Sequence, residues 1–243
     1  DLHQAQIVVP DDLTGAEKKS IDLLVDEIKA RTRLRLPVDT VWPTNDQIPV
    51  IAISTGKQLK MLPGHMASSL AADSRAPRPE GFRIRTETSN GRAPVILVIG
   101  DDSRGVLFGV GKLLRSLEMS RDQIVLRTPL EVTSAPAMPI RGHQLGYRPK
   151  TNSYDAWDLR QWEQYIRDLA VFGCNSIELI PPRSDDDSDS PHFPLPQMEM
   201  MVGMSKLAAE YGLDVWIWYP AMEPSYRTPE AIQAAVKEWG DVL

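Results

Sequence analysis

The chain has 243 residues, of which 42% are hydrophobic and 25% charged, a composition that fits a globular protein able to bury a core in one large domain or two ordinary ones. Its net charge of −6, with basic residues scattered among apolar ones as in KARTRLRL, leaves no footprint for nucleic acid or another polyanion. The one cysteine, Cys174, excludes an internal disulfide framework and a cysteine-rich zinc site.

No apolar run reaches the roughly 18 to 20 residues of a membrane span, and DLHQAQIVVP lacks the charged start and apolar middle of a signal peptide. The opening on Asp rather than Met is that of a processed or trimmed chain, and a periplasmic or extracellular location is expected.

In chain order, AQIVVP, TGAEKKSIDLLVDEIKART and LPVDTV read as strand, helix and strand. Ile21, Leu24, Val25 and Ile28 recur at helical spacing, Thr14 can cap, and Glu17 stands three residues later as in a capping box. PVIAIST, EGFRIRTE and APVILVIGDD follow as strands of one sheet, rich in β-branched residues and bounded by Gly, Pro and Asn. SRGVLFGVGKLLRSLEM is the next helix. TPLEVTSAPAMP then supplies a last strand and a proline-rich linker, so residues 1–135 are expected to form an α/β sandwich domain.

From residue 136 the rhythm becomes strand, loop, helix. MPIRGHQL, CNSIELIPP and LDVWIWYPAM are strands. AWDLRQWEQYIRDLAVFG, QMEMMVGMSKLAAEYG and TPEAIQAAVKEWGDVL are helices, the last with Pro229 at its first turn. Alternation at about 35 residues per unit is that of βα units around a parallel sheet or barrel, and residues 136–243 hold about three of the eight units a TIM-type (β/α)8 barrel needs.

Two tempting motifs fail. In GVLFGVGK, Gly105 lies six positions before Gly111, and Lys112 is followed by Leu113, so the spacing is not that of a P-loop. Those glycines instead let a helix lie close on a sheet. The acidic loop SDDDSDS lacks the register of a calcium loop and reads as solvated. No metal or cofactor is expected, and Cys174 within AVFGCNSIEL reads as packed core.

The polar residues gather at strand ends. Arg141, His143, Gln144 and Tyr147 follow one another in IRGHQLGYRPK, with Arg148, Asn152, Tyr154 and Asp155 just after. An arginine fork suits vicinal hydroxyls or a carboxylate, and His and Gln can complete the set. Glu178 lies in the otherwise apolar SIELI, where it needs either a function or a partner such as Arg141. In WIWYPAM, Trp216 and Trp218 share one face and Ile217 and Tyr219 the other. Trp218 or Tyr219 either stacks on a sugar ring or packs in the core. Glu223 and Asp155 are candidates for a second carboxylate. Trp157 reads as packing.

The run VILVIGDDSRGVLFGVGKLLRSL, followed by a linker and PIRG, resembles the N-terminal domain and barrel entry of glycoside hydrolases, notably α-glucuronidases of family 67 and β-N-acetylhexosaminidases of family 20. The resemblance implies an accessory α/β domain leading into a (β/α)8 catalytic barrel, carboxylate acid/base hydrolysis of glycans with a terminal hexosamine or uronic acid, and a sugar-binding role for Arg141. It also implies a backbone role for Asn175, and catalytic carboxylates on strand four or later. Glu178 and Ile180 stand where hexosaminidases carry His-x-His, and Pro220-Ala221 where they carry Pro-Glu. The alternative is a non-catalytic carbohydrate-binding or assembly module. Either way the partner is a glycan or oligosaccharide, and an open sheet edge invites self-association.

Overall fold

The computed structural model of the protein describes residues 1–71, 76–145, 152–179, 192–217 and 227–242. In chain order its elements are β1 (Gln6–Val8), α1 (Gly15–Thr32), β2 (Val38–Asp39), β3 (Val50–Thr55), α2 (Gly64–Ala71), β4 (Phe82–Glu87), β5 (Val95–Gly100) and α3 (Ser103–Leu114). After them come β6 (Glu118–Ser120), β7 (Gln123–Val125), β8 (Glu131–Ser134), β9 (Gly142–Gln144), α4 (Leu159–Val171), β10 (Ser176–Leu179), α5 (Gln197–Glu210), β11 (Asp214–Ile217) and α6 (Pro229–Val242).

Six strands form one sheet in the order β2-β1-β3-β5-β4-β8, and three form a second in the order β11-β10-β9. The neighbours β2, β1, β3 and β5 run parallel, whereas β4 is antiparallel to both β5 and β8. All pairings in the three-stranded sheet are parallel. The protein is thus an α/β fold, as expected.

The six-stranded sheet is covered on both faces, which its unbroken apolar strands require. Ile7, Ile51, Ile53, Ile96 and Val98 pack with the buried residues of α1 and α3. Their alternate neighbours Val8, Val50, Ala52, Leu97 and Ile99 pack instead with Leu62, Met66 and Leu70. Thr14 closes the expected capping box on α1: its hydroxyl accepts from the Glu17 amide and its own amide donates to the Glu17 carboxylate.

The glycines of α3 do allow close approach. A Cβ on Gly109 would stand 2.8 Å from Val98 Cγ1 of the sheet, and one on Gly111 2.6 Å from the carbonyl of Val171 at the end of α4. The helix is shorter than its apolar pattern suggests. It ends at Leu114, and residues 118–125 turn into the β6–β7 hairpin, with Asp122 at φ 60° in the left-handed region that Asp tolerates better than most residues. Helix α2 is a further element that the sequence pattern did not reveal.

The two sheets share one hydrophobic core, in which Trp162, Ile166, Ile177, Met200 and Met204 continue the cluster built by α1 and α3. Two polar seams fix the register between them. In one, Arg167 of α4 pairs with Glu163 at 2.9 Å and with Glu27 of α1 at 3.3 Å, and Lys19 of α1 reaches Glu210 of α5 at 2.8 Å. Burial pushes the Glu163 carboxyl up, but donation from Tyr211, which hydrogen-bonds it, and the charges of Arg167 and Lys19 outweigh burial and hold it below the usual carboxylate range.

The other seam centres on Glu80, from the loop before β4. Its carboxylate accepts from Asn175 Nδ2 at 3.0 Å, from Arg104 Nη1 at 3.0 Å and from Arg141 Nη2. Here too burial raises the carboxyl pKa, and the donors more than reverse it. Asn175, buried just before β10, also accepts the Arg141 amide on Oδ1 at 2.8 Å, donates to the Pro139 carbonyl at 2.7 Å, and receives the Asp214 amide on its own carbonyl at 2.9 Å. Its side-chain amide therefore ties the start of β9 to Glu80, and its main-chain carbonyl ties in the start of β11.

Candidate functional site

Register decides which side chains of the three-stranded sheet meet. His143 pairs with Ile177, and Ile177 with Val215. Gln144 pairs with Glu178, and Glu178 with Trp216. Paired residues in a parallel sheet point to the same face and successive residues to opposite faces, so these are two rows on opposite sides. The first row faces the helices: Ile177 is fully buried, Val215 packs on the core, and His143 Nδ1 lies 2.6 Å from the hydroxyl of Tyr165 on α4.

The second row faces away from the helices. Trp216 is 53% exposed, Gln144 is exposed, and Glu178 lies half-buried between them. With neighbouring strands about 4.8 Å apart, the row sets a carboxylate midway along a span of about 10 Å between an amide and an indole. All three lie at or next to the carboxyl ends of their strands, where open α/β folds hold their ligands. An acceptor-only carboxylate, an amide that both donates and accepts, and a flat indole form a set suited to a polyol, whose hydroxyls need partners at its edge and whose C–H face needs an apolar plate.

Two loops at this end are also joined. Asp155, in the connection after β9, accepts from the Asn152 amide at 2.7 Å and lies 2.8 Å from Nδ1 of buried His192, in the connection after β10. The Ala156 amide donates to the His192 carbonyl at 3.3 Å. Burial raises the Asp155 carboxyl, but the Asn152 amide and His192 outweigh it and hold the pKa below the usual range. The sequence marks His192 only by one histidine beside an acidic run, with no spacing to a partner.

Of the sequence-predicted residues, Gln144 and Glu178 come together. His143 lies on the opposite face, and its hydrogen bond to Tyr165 makes it part of the helix packing. Burial pushes the Tyr165 hydroxyl up to about 12, with the Cys174 and Tyr154 charges adding to it. Arg141 is held elsewhere. It precedes β9, at the end of the strand opposite Gln144, and its fork is taken by Gly173 O at 2.9 Å, Met138 O at 3.0 Å and the Glu80 carboxylate. The guanidinium also covers the Phe108 ring, 5.0 Å from its centroid. Its carboxylate partner is therefore Glu80, next to the other sheet, rather than Glu178, because Glu80 is a buried carboxylate that must be neutralised there.

Tyr147, Trp218 and Tyr219 lie outside the described residues, as do Arg148, Glu223 and the acidic loop. Trp216, weighed only as one half of an aromatic pair, proves to be the indole on the uncovered face, and strand alternation was the signal that could have found it. Among the described residues no group of three or more His, Cys, Asp or Glu side chains could hold a metal ion.

By sequence, no protein-family model and no curated protein matches the chain. Solved structures do. A family 115 4-O-methyl-α-glucuronidase with specificity for decorated arabinogalactans, BtGH115A, matches 97% of this chain and 34% of its own with a TM-score of 0.61 at 14% identity. The Streptomyces plicatus N-acetyl-β-hexosaminidase matches 91% and 42% with a TM-score of 0.58 at 15% identity. CpGH84B, of family 84, matches 99% and 39% with a TM-score of 0.58 at 14% identity.

The fold is similar to that of glycoside hydrolases. The likeness runs through both sheets of this chain, and the chain spans between 34% and 42% of the length of these three structures.

Proposed function

We propose that residues 136–243 form the first three βα units of a (β/α)8 barrel, preceded by an accessory domain at 1–135, and that the chain is the N-terminal part of an exo-acting glycoside hydrolase. The observation that carries this reading is the row Gln144, Glu178 and Trp216 on the uncovered face of an all-parallel sheet. Parallel sheets are otherwise buried on both faces, and a barrel covers the second face with its own remaining strands while keeping a polar mouth at their carboxyl ends. Trp216 supplies the plate for the sugar ring and Glu178 the acceptor for its hydroxyls, with Gln144 orienting a neighbouring group.

Glycoside hydrolysis needs two carboxyl groups flanking the scissile bond. Among the described residues, the row at this level of the sheet holds one. Asp214, the carboxylate at the start of β11, is bound by Arg104 at 2.6 Å. The acid and base of the intact enzyme are therefore assigned to later strands. The neighbouring structures are hexosaminidases and a glucuronidase by name, which supports a terminal hexosamine or uronic acid as the sugar recognised. A periplasmic or extracellular location suits such a substrate, and no helix among the described residues is long and apolar enough to cross a membrane.

The test is calorimetric titration of the chain with N-acetylglucosamine and its oligomers and with a glucuronic acid disaccharide, alongside hydrolysis assays on the natural full-length protein. Binding that weakens about tenfold, or 1.4 kcal/mol, in both Glu178→Gln and Trp216→Ala is expected. Full-length protein that neither binds nor hydrolyses any of them would sink the proposal.

A further inference from the structure

We infer that the six-stranded sheet carries a second ligand site, a crevice that takes a hydroxylated carboxylate the size of a hexuronate. Its position follows from the topology. β1 leads into α1 on one face of the sheet, whereas its parallel neighbour β3 leads into α2 on the other face. Connections that leave adjacent carboxyl ends in opposite directions open a crevice between them, the place where open α/β sheets bind ligands.

A cavity of about 420 Å³ lies there, lined by Asp11, Asp12, Thr40, Lys57, Gln58 and Lys60 among others, and a single sugar ring fits that volume. Gln58 holds its two sides together. Its Oε1 accepts from the Thr55 amide at 3.1 Å and the Thr55 hydroxyl at 2.8 Å, and its Nε2 donates to Asp12 Oδ1 at 2.9 Å. Among the described residues the side chains of Asp11, Lys57 and Lys60 make no hydrogen bond or ion pair, so their charges are available to a ligand.

The lining selects the ligand class. Two ammonium groups favour a carboxylate and two aspartates beside them accept from hydroxyls, so a ligand that carries both groups apart on one ring can place each against its partner, which a compact anion such as phosphate cannot. A plain hexose satisfies the aspartates and leaves the lysines solvated. A hexuronate satisfies both. This site lies in the other sheet from Gln144, Glu178 and Trp216, so it stands or falls independently of the proposed glycosidase reading.

The test is titration of the nitrogen-15-labelled 243-residue chain with sodium glucuronate, glucose and inorganic phosphate, following backbone amides. Glucuronate is expected to shift residues 11–12, 40 and 57–61 with a Kd of roughly millimolar order. Glucose should bind about tenfold more weakly, and Lys57→Ala with Lys60→Ala should lower glucuronate affinity by about the same factor. Asp11→Asn, predicted to weaken glucuronate and glucose alike, keeps the question open to an answer if the lysine variant misfolds. Shifts confined to residues 144, 178 and 216, equal affinity in the variants, or phosphate binding as tightly as glucuronate would each overturn the assignment.

Discussion

The parallel strands β2, β1, β3 and β5 of the larger sheet and the three strands of the smaller one are paired alike but differ in how they are covered. In β3 every residue is buried, because α1 and α3 lie on one side and α2 on the other. In β10 the two apolar residues Ile177 and Leu179 are buried against helices while Glu178 between them is half-exposed. The difference shows where stability and recognition are separated: a strand covered twice has no side chain to spare for a ligand, whereas β10, covered once, has Glu178 near its carboxyl end while Ser176 at its start is buried.

The largest effects should expose that contrast. Ile51→Ala and Val50→Ala, neighbours on opposite faces of β3, should both destabilise, by about 3 and 2 kcal/mol, or roughly 2 to 4 °C in Tm per kcal/mol for a chain of this size. Ile177→Ala should cost about 3 kcal/mol, whereas Glu178→Ala should change stability by less than about 0.5 kcal/mol. Thermal denaturation of the four variants measures this. A loss of about 2 kcal/mol or more in Glu178→Ala would mean that the second face is packed and the comparison false.

Next is the seam that holds the sheets in register. Glu80→Ala leaves Arg104, Arg141 and Asn175 without their shared acceptor, and a cost of about 2 to 4 kcal/mol at neutral pH is expected for a partly buried ionic cluster. The folded pKa of Glu80 is depressed by its donors, so the stability it contributes is complete above the unfolded value of about 4.3 and is lost as the pH falls through the lower folded value. Wild type should therefore weaken below about pH 4 more steeply than Glu80→Ala. Urea melts between neutral pH and about pH 3 decide it, and parallel pH profiles would count against the seam.

The legibility of these features in the sequence follows the same division. The strands of the larger sheet were legible in VIAIST and VILVIG, though the helix α2 that covers their second face was not, and Thr14 with Glu17 marked where α1 begins. Helix α4 was equally plain from the run AWDLRQWEQYIRDLAVFG, which sets Trp162, Tyr165, Ile166 and Leu169 on one face. In the second sheet, Gln144 and Glu178 were visible as polar residues in strands. The role of Arg141 was not, because its partner Glu80 is 61 positions away and no local pattern links them. His143 was misplaced for a related reason: alternation shows that His143 and Gln144 face opposite ways, but only the Tyr165 contact tells which side carries the helices.

The smallest predicted effect concerns the edges. The six-stranded sheet ends in β2, only two residues long, and in β8, whose Glu131, Thr133 and Ser134 are polar and exposed. Short and polar edges discourage pairing with another chain. The three-stranded sheet also has short edge strands, but apolar side chains stand exposed beside one of them. β9 and β11 each have one paired neighbour among the described residues, and Met138 and Ile140 beside β9 are 68% and 60% exposed. In the proposed barrel, later strands and helices cover these groups. In the 243-residue chain they should instead drive weak self-association, with a dimer Kd of roughly 10 to 100 μM. Met138→Lys with Ile140→Lys should weaken this about tenfold and alter Tm little, because both positions are exposed. Sedimentation at several concentrations reads the outcome. A chain that stays monomeric at about 1 mM would show that the edge of β9 is already protected, and would remove one support for the barrel reading while leaving the row of Gln144, Glu178 and Trp216 untouched.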